Sequence, residues 1–155
     1  MLTEPQVVDA VCNYLREKGF NIKQCLDLME KGDDIIAEHH GKQIRLFIEA
    51  KGETSANSKT SNFGKPFTSS QVRTHISVGL YKCAEVLTNY EKNDSVYAAL
   101  ALPNNEQHRT ALERIENVFP KLRIPVFLVN QGGSVLLHND LSGENDIHKH
   151  LKLLK

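Results

Sequence analysis

Apolar residues near the start of the chain recur at the spacing of a helix. Thr3-Glu4-Pro5-Gln6 has the form of a capping box with proline in the first turn, and Gly19 is typical of a position just beyond a helix end. Between them the apolar positions fall three and four residues apart: Val7, Val8, Val11, Tyr14 and Leu15. The pattern predicts a helix with one buried face that ends at Gly19.

Three strands are predicted after this helix, because turns and alternating apolar positions replace the helical period. A weak strand pattern covers 20–29, and the turn Gly32-Asp33-Asp34 leads into a strand at Ile35-Ile36-Ala37. His40-Gly41 is predicted to turn a hairpin whose return strand runs from Gln43 to Lys51.

The remainder of the chain alternates helices and strands. Ser69 or Ser70 is predicted to cap a long helix reaching Tyr90, and Asn104 or Asn105 a helix reaching Phe119. The other predicted elements are strands at Val96–Leu102, Ile124–Val129 and Ser134–His138 and a terminal helix from Ser142. This order favours an α/β fold with a central mixed β-sheet flanked by helices on both faces. No repeat or boundary divides the chain, so residues 1–155 are expected to form a single domain.

Composition narrows the functional classes. Lys and Arg together number 19, as do Asp and Glu, so bulk charge does not indicate nucleic-acid binding. Bases nevertheless outnumber acids between residues 42 and 82, which suits phosphate contact or, equally, an ordinary solvated surface. The three cysteines lack CxxC spacing, which favours reduced core thiols in the cytoplasm over a zinc site. Neither a membrane-spanning run of about 20 apolar residues nor a signal peptide is recognisable.

Glu49-Ala50-Lys51 is the strongest candidate for chemistry. Side chains alternate along a strand, so Glu49 and Lys51 share one face and Ala50 points to the other. That other face is apolar and is expected to pack on a helix; its members are Ile44, Leu46, Ile48 and Ala50. A Glu/Asp-x-Lys tripeptide arises by chance about once or twice in a chain of this length. The alternative is therefore a surface ion pair at a strand end.

Asp34 begins the strand that pairs with this one. The short hairpin is expected to bring Asp34 close to Glu49, and two converging carboxylates make an oxygen site suited to Mg²⁺ or Mn²⁺. Lys51 beside such a site can orient an attacking water or stabilise charge that develops on phosphorus.

Three stretches together resemble the PD-(D/E)xK nuclease superfamily, which includes restriction enzymes, Holliday-junction resolvases and repair nucleases. They are Gly32-Asp-Asp-Ile-Ile-Ala, Phe47-Ile-Glu-Ala-Lys-Gly52 and the helix opening Ser69-Ser-Gln71. The predicted element order fits that restriction-endonuclease-like fold across most of the chain.

The resemblance implies a role for each residue of the motif. Asp34 and Glu49 correspond to metal ligands, the backbone carbonyl of Ala50 to a third ligand, and Lys51 to the catalytic lysine. Asp33 stands where the superfamily has proline. Asp34 is assigned as the ligand because it directly precedes the apolar strand, whereas Asp33 suits the turn.

Further candidates flank this motif. Gln71 matches by position a glutamine that many relatives place near the metal, and Glu4 a glutamate that some relatives use to support it. Glu4 is equally explained as a first-turn acid favoured by the helix dipole. His75 lies one turn beyond Gln71, and a half-buried histidine with an ordinary hydrogen bond is the more common case.

The segment from Gly52 to Ser69 is long, polar and without apolar periodicity, which is typical of functional or disordered loops. Lys59 and Lys65 alternate there with aromatic residues, a pattern that suits phosphate contact and base stacking. Arg73 and His75, on the helix that follows, complete the candidate nucleic-acid contacts.

The leading hypothesis is a Mg²⁺- or Mn²⁺-dependent nuclease that hydrolyses phosphodiester bonds in DNA. A single site cuts one strand, so double-strand cleavage requires a homodimer or two successive nicks. A catalytically inactive module of the same fold, binding nucleic acid or a protein, is the alternative. An enzyme of other chemistry with a chance ExK lacks support, because no phosphate loop, nucleophile elbow or zinc motif is recognisable.

Overall fold

The backbone follows the predicted alternation of helices and strands. The computed structural model describes residues 1–25 and 32–138. Its elements are α1 (Glu4–Glu17), β1 (Asn21–Cys25), β2 (Ile35–His39), β3 (Ile44–Ala50), α2 (Ser69–Asn89), β4 (Val96–Pro103), α3 (Glu106–Glu113), α4 (Val118–Lys121), β5 (Val126–Val129) and β6 (Val135–His138). The terminal helix predicted from Ser142 and the end of the first predicted strand lie outside the described residues.

Within the described residues, six strands form one mixed sheet, in the order β1-β2-β3-β4-β5-β6. β1, β2 and β3 pair antiparallel, β4 and β5 continue parallel to β3, and β6 returns antiparallel to β5. A short 3₁₀ turn at His40–Lys42 joins β2 to β3, with Gln43 in the left-handed region, so the predicted hairpin is confirmed.

Both faces of the sheet are covered, because side chains of the central strands alternate between two hydrophobic clusters. One cluster packs under α1 and takes Ile44, Leu46, Ile48 and Ala50 of β3 together with Tyr97, Ala99 and Ala101 of β4. The other packs under α2 and α3 and takes Phe47, Val96, Ala98, Leu100 and Leu102. The predicted mixed sheet with helices on both faces is thus confirmed, as is the apolar face of β3.

Two details of the helices differ from the prediction. Thr68, not Ser69 or Ser70, caps α2, because Gln71 three residues later completes a capping box with it. The helix expected to reach Phe119 ends at Glu113 and is followed by a separate short helix, α4. Pro120 explains the break, since a continuous helix would set its ring against the carbonyl of Glu116.

The cysteines are free thiols, but one lies outside the core. Cys12 and Cys83 are buried as expected, whereas Cys25 is exposed, so the prediction of three core cysteines is wrong at this position. β1 is an edge strand that alternates exposed and half-buried side chains, and it offers no fully buried position. In residues 1–25 and 32–138 there is no helix of the length and apolarity that crossing a bilayer requires.

Candidate active site

Strand pairing brings Asp34 and Glu49 together. Ile35 pairs with Ile48, so the residue before β2 lies opposite Glu49 near the end of β3. The Oδ2 atom of Asp34 accepts a hydrogen bond of 2.6 Å from the backbone N–H of Ala50, which fixes the carboxylate against β3. Glu49 is only 4% exposed. Two carboxylates therefore share one largely buried end of the hairpin.

Negative charge is concentrated at this end of the sheet. Burial and the charge of Glu49 raise the pKa of Asp34 to about 6, although the Ala50 amide and Lys51 act in the opposite direction. Burial and Glu49 also raise the pKa of the neighbouring Asp33 carboxyl. Because a nearby cation would relieve both effects, the electrostatics suit a site for a positive ion.

Lys51 reaches across the same face. Its Nζ atom lies 2.5 Å from Oε1 of Glu49 and 3.5 Å from Oε2 of Glu4. Burial opposes the charged form of Lys51, but the carboxylates of Glu49, Glu4 and Asp34 more than compensate and raise its pKa. Lys51 is therefore an ammonium at neutral pH, which suits charge stabilisation rather than proton abstraction.

Glu4 joins the site because α1 begins directly over the end of β3. A Cβ atom at Gly52 would lie 2.6 Å from the backbone N of Glu4 and 2.9 Å from the backbone C of Thr3. Only glycine permits this approach of the two backbones. The capping interaction of Thr3, whose N–H donates to Oε1 of Gln6 at 2.8 Å, sets where the helix starts. Glu4 thus lies beside Lys51.

Lys82 was not anticipated from the sequence. Its Nζ atom lies 2.7 Å from Oε2 of Glu49, so both oxygens of this carboxylate contact a lysine. α2 can approach β3 this closely because Gly79 faces the sheet, where a Cβ atom would lie 2.8 Å from Leu100. The available signal was a lysine three residues after that glycine, on the edge of the apolar stripe.

The oxygen donors at this site suit a Mg²⁺ or Mn²⁺ ion with an open coordination shell, rather than a metal enclosed entirely by protein ligands. Asp34 and Glu49 are hard ligands, and a magnesium ion commonly takes one or two carboxylates and keeps several waters. Within residues 1–25 and 32–138, no group of three or more His, Cys, Asp or Glu side chains is arranged to hold a metal. A site of two carboxylates and the Ala50 carbonyl would leave positions for water and phosphate.

The other candidate residues on α2 make contacts of their own. Gln71 accepts a hydrogen bond of 2.8 Å from the backbone N–H of Thr68, so its side chain serves the helix cap. His75 packs edge-on against Phe67 at 4.7 Å, and burial followed by the charge of Lys51 lowers its pKa. Arg73 is exposed and lines a groove of about 500 Å³ between α2 and α3.

Lys59 and Lys65 are exposed on the loop between β3 and α2. The loop is internally hydrogen-bonded: Thr60 Oγ1 donates to Ser55 Oγ at 2.8 Å, and Ser55 forms an isolated bridge with Phe63. Both lysines thus lie on an internally hydrogen-bonded loop that begins at the end of β3, where the carboxylates lie.

Glu53 is a second buried carboxylate that the sequence patterns did not predict. It accepts hydrogen bonds from the backbone N–H of Leu2 and from the side-chain amides of Asn105 and Gln131. His108, fully buried, lies next in this network, with its Nδ1 2.9 Å from Oδ1 of Asn105. The contacts of Glu53 with Asn105 and Gln131 join residues 52 and 78 positions apart, so no local sequence pattern predicts them.

Comparison with known proteins supports the fold. Neither protein-family models nor curated proteins yield a significant match to this chain. Among solved structures, the fold is similar to that of a FdxN element excision controlling factor protein from Anabaena variabilis, with a TM-score of 0.54 and 14% identity. The similarity covers 86% of this chain and 98% of that chain. Together with the sheet topology, it shows that the chain has the restriction-endonuclease-like α/β fold expected from its sequence.

Proposed function

We propose that this protein is a metal-dependent nuclease that hydrolyses phosphodiester bonds in DNA, with a D…ExK site of the PD-(D/E)xK type. The observation that carries the proposal is the convergence of Asp34, Glu49 and Lys51 at one end of the β2–β3 hairpin. Burying two carboxylates beside a charged lysine lowers the stability of the fold. Such groups concentrate at functional sites.

Each residue has a distinct task in this proposal. Asp34, Glu49 and the Ala50 carbonyl hold Mg²⁺ or Mn²⁺, which when bound supplies an activated water and an electrophile for a phosphate oxygen. Lys51, held as an ammonium, stabilises the charge that grows on the scissile phosphate. Glu4 positions Lys51 through their 3.5 Å ion pair.

The surroundings are suited to a nucleic-acid partner. Lys59 and Lys65 are available for contacts with phosphates on either side of the scissile bond, and phosphate contacts dominate affinity for DNA. Arg73 extends the positive surface along α2. His75, half-buried against Phe67, contributes to the wall of the site rather than to long-range attraction.

A catalytically inactive module is the second candidate, and two observations favour it. The structural neighbour is described as a controlling factor rather than as a nuclease. In addition, Lys51 and Lys82 together contact both oxygens of Glu49, an arrangement that can neutralise this carboxylate without a metal. Such a module would bind nucleic acid or a protein without cutting.

Incubation with supercoiled plasmid and with single-stranded DNA, with and without Mg²⁺ or Mn²⁺, separates the two candidates. The nuclease proposal expects metal-dependent cutting by the wild type and none by Lys51→Ala. Because each chain carries one D…ExK site, nicked circles should precede linear product unless the protein acts as a dimer.

Lys92→Ala, which changes an exposed lysine beyond α2, is the matched control and should cut like the wild type. Equal cutting by wild type and Lys51→Ala would reveal a contaminating nuclease and remove the proposal. Metal-independent binding without cutting would establish the inactive module instead.

A further inference from the structure

Two cysteine side chains meet where α1 packs against the edge strand β1. Cys12 lies on α1 and Cys25 at the end of β1, 13 positions apart in sequence, and their Sγ atoms are 3.3 Å apart. Both are free thiols. The sulfurs of a disulfide are about 2.05 Å apart, so these two atoms need to approach by only about 1.2 Å. Small rotations about the Cα–Cβ bonds of the two residues can supply this movement.

The two thiols differ in their access to solvent. Cys12 is buried in the hydrophobic cluster under α1, whereas Cys25 is exposed. Burial, followed by the hydrogen bond with Cys25 and the charge of that residue, raises the pKa of Cys12 to about 12, so Cys12 is a neutral thiol near pH 7. The thiolate is the reactive form of cysteine, and susceptibility to oxidation follows exposure. An oxidant in solution therefore reaches Cys25 first.

We propose that Cys12 and Cys25 are a redox-sensitive pair, in which a peroxide oxidises the exposed thiol and the buried thiol then closes an intramolecular disulfide within the native fold. Redox-responsive proteins often place an accessible cysteine next to a second cysteine that resolves the oxidised form. The distance between the two sulfurs and their difference in exposure match this arrangement. The inference goes beyond the proposed nuclease activity, since neither cysteine belongs to the candidate active site.

Oxidation by hydrogen peroxide proceeds in two steps. In the first, the thiolate of Cys25 attacks one oxygen, the O–O bond breaks, and Cys25 becomes a sulfenic acid; the departing hydroxide takes up the proton lost from Cys25. In the second, Sγ of Cys12 attacks Sγ of Cys25, the S–S bond forms and the S–O bond breaks, and the hydroxide that leaves takes the proton of Cys12. The two thiols lose two electrons, and the peroxide is reduced to two water molecules.

The bond would tie an edge strand to the helix that covers it. Within the described residues β1 pairs with β2 alone, and its side chains are exposed or half-buried. Cys25 lies opposite Ile35 at the start of β2. A covalent link between α1 and this end of β1 restricts the unfolded chain, which stabilises the fold as long as the native geometry accepts the bond.

Cys83 provides a reference thiol in the same chain. It lies on α2, in the hydrophobic cluster on the opposite face of the sheet from Cys12, and its Sγ donates a hydrogen bond of 3.5 Å to the backbone oxygen of Ala99. Burial raises its pKa to about 12 as well. Cys83 is therefore expected to stay a thiol under conditions that oxidise Cys25.

Treatment of the reduced wild-type protein with a slight excess of hydrogen peroxide tests the pairing. We expect thiol titration of the denatured product to fall from three free thiols to one, and the intact mass to fall by two hydrogen atoms. Tryptic digestion and mass spectrometry should recover a peptide linked through Cys12 and Cys25, with Cys83 unmodified. Oxidation of Cys25 without this link, a dimer joined through Cys25, or three remaining thiols would overturn the inference.

Three variants assign the steps. Cys83→Ala should form the link as the wild type does. Cys12→Ala should leave Cys25 as a sulfenic acid that dimedone traps, because the resolving thiol is missing. Equally rapid trapping at Cys12 in Cys25→Ser would contradict the assignment of Cys25 as the attacking thiol. Should Cys12→Ala fail to fold, the peptide map of the wild type decides.

Thermal unfolding tests whether the bond fits the native fold. The oxidised wild type should melt about 5 to 10 °C above the reduced protein, and dithiothreitol should reverse the shift. Peroxide should leave the melting temperature of Cys25→Ser unchanged. An oxidised wild type that melts below the reduced protein would show that the bond requires a rearranged fold, and would overturn the inference.

Discussion

Glu49 and Glu53 are both buried carboxylates, four residues apart at the same end of the sheet, yet different kinds of donor hold them. Glu49 contacts two ammonium groups, those of Lys51 and Lys82, at the ends of long side chains. Glu53 is held by the backbone N–H of Leu2 and by the side-chain amides of Asn105 and Gln131. One set of contacts can be exchanged for another cation, whereas the other ties distant segments together.

The pKa shifts of the carboxyl groups also differ between the two regions. Burial acts to raise the pKa of Glu53, but its hydrogen bonds lower it overall, so this carboxylate is well solvated by protein dipoles. Beside Glu49, burial and like charge raise the pKa of Asp34 to about 6. We interpret this difference as a structural role for Glu53 and, under the proposal above, a cation-binding role for the Asp34–Glu49 pair.

The largest effect should come from Glu49→Gln, which removes a proposed metal ligand and leaves the side-chain volume unchanged. We expect metal-dependent cleavage to fall by at least about 10²- to 10³-fold, because stabilisation of the developing charge is lost. The rate of plasmid nicking measures this. Glu91→Gln, an exposed counterpart just beyond α2, should retain wild-type activity, and similar losses in both variants would contradict the assignment.

Glu53→Ala should act on stability instead. Three donors lose their acceptor, so the free energy of unfolding should fall by about 3 to 5 kcal/mol. Urea denaturation followed by circular dichroism measures the change. A variant as stable as the wild type but devoid of nuclease activity would reverse the roles assigned to the two carboxylates.

His108, which is linked to Glu53 through Asn105, should make the fold sensitive to acid. Its folded-state pKa of about 4 lies below the ordinary value of 6.5, so its contribution to stability is complete above pH 6.5. The contribution is lost as the pH falls from 6.5 to 4, by up to about 3 kcal/mol.

His108→Gln should flatten the dependence of stability on pH across this interval, as measured by thermal melts in matched buffers. His138→Gln provides the comparison on β6, where burial also lowers the pKa of the histidine. An identical pH profile for wild type and His108→Gln would mean that His108 is not held neutral by its surroundings.

Lys82→Met should have the smallest effect. The variant removes a cation 2.7 Å from Glu49 that competes with a metal ion, so affinity for Mn²⁺ should rise by about two- to fivefold. Isothermal titration calorimetry measures this, with Lys92→Met as the exposed control. Weaker Mn²⁺ binding by Lys82→Met would show that Lys82 supports the ion rather than competing with it.

The contrast between the two carboxylates also shows which features a sequence can reveal. The hairpin and the faces of β3 were predictable because turn residues and strand alternation act over a few positions. The same local rules sufficed to expect Asp34, Glu49 and Lys51 at one end of the sheet. The cap at Thr68 was also encoded, since Gln71 follows it at capping-box spacing.

Features that depend on packing were not predictable. Lys82 reaches Glu49 only because Gly79 lets α2 approach the sheet, and the network of Glu53 joins loops far apart in sequence. The break between α3 and α4 required weighing Pro120 against the apolar periodicity around it. For Lys82 and Glu53 the deciding contacts join residues 33 and 78 positions apart, which local periodicity does not report.

The central claim is that Asp34 and Glu49 bind one divalent cation. Diffraction from crystals soaked in Mn²⁺, collected near the manganese absorption edge, tests it without reference to activity. The account predicts an anomalous peak between the carboxylates of Asp34 and Glu49 in the wild type and its loss in Asp34→Asn. A wild type without this peak at saturating Mn²⁺, with Lys51 and Lys82 still contacting Glu49, would contradict the account.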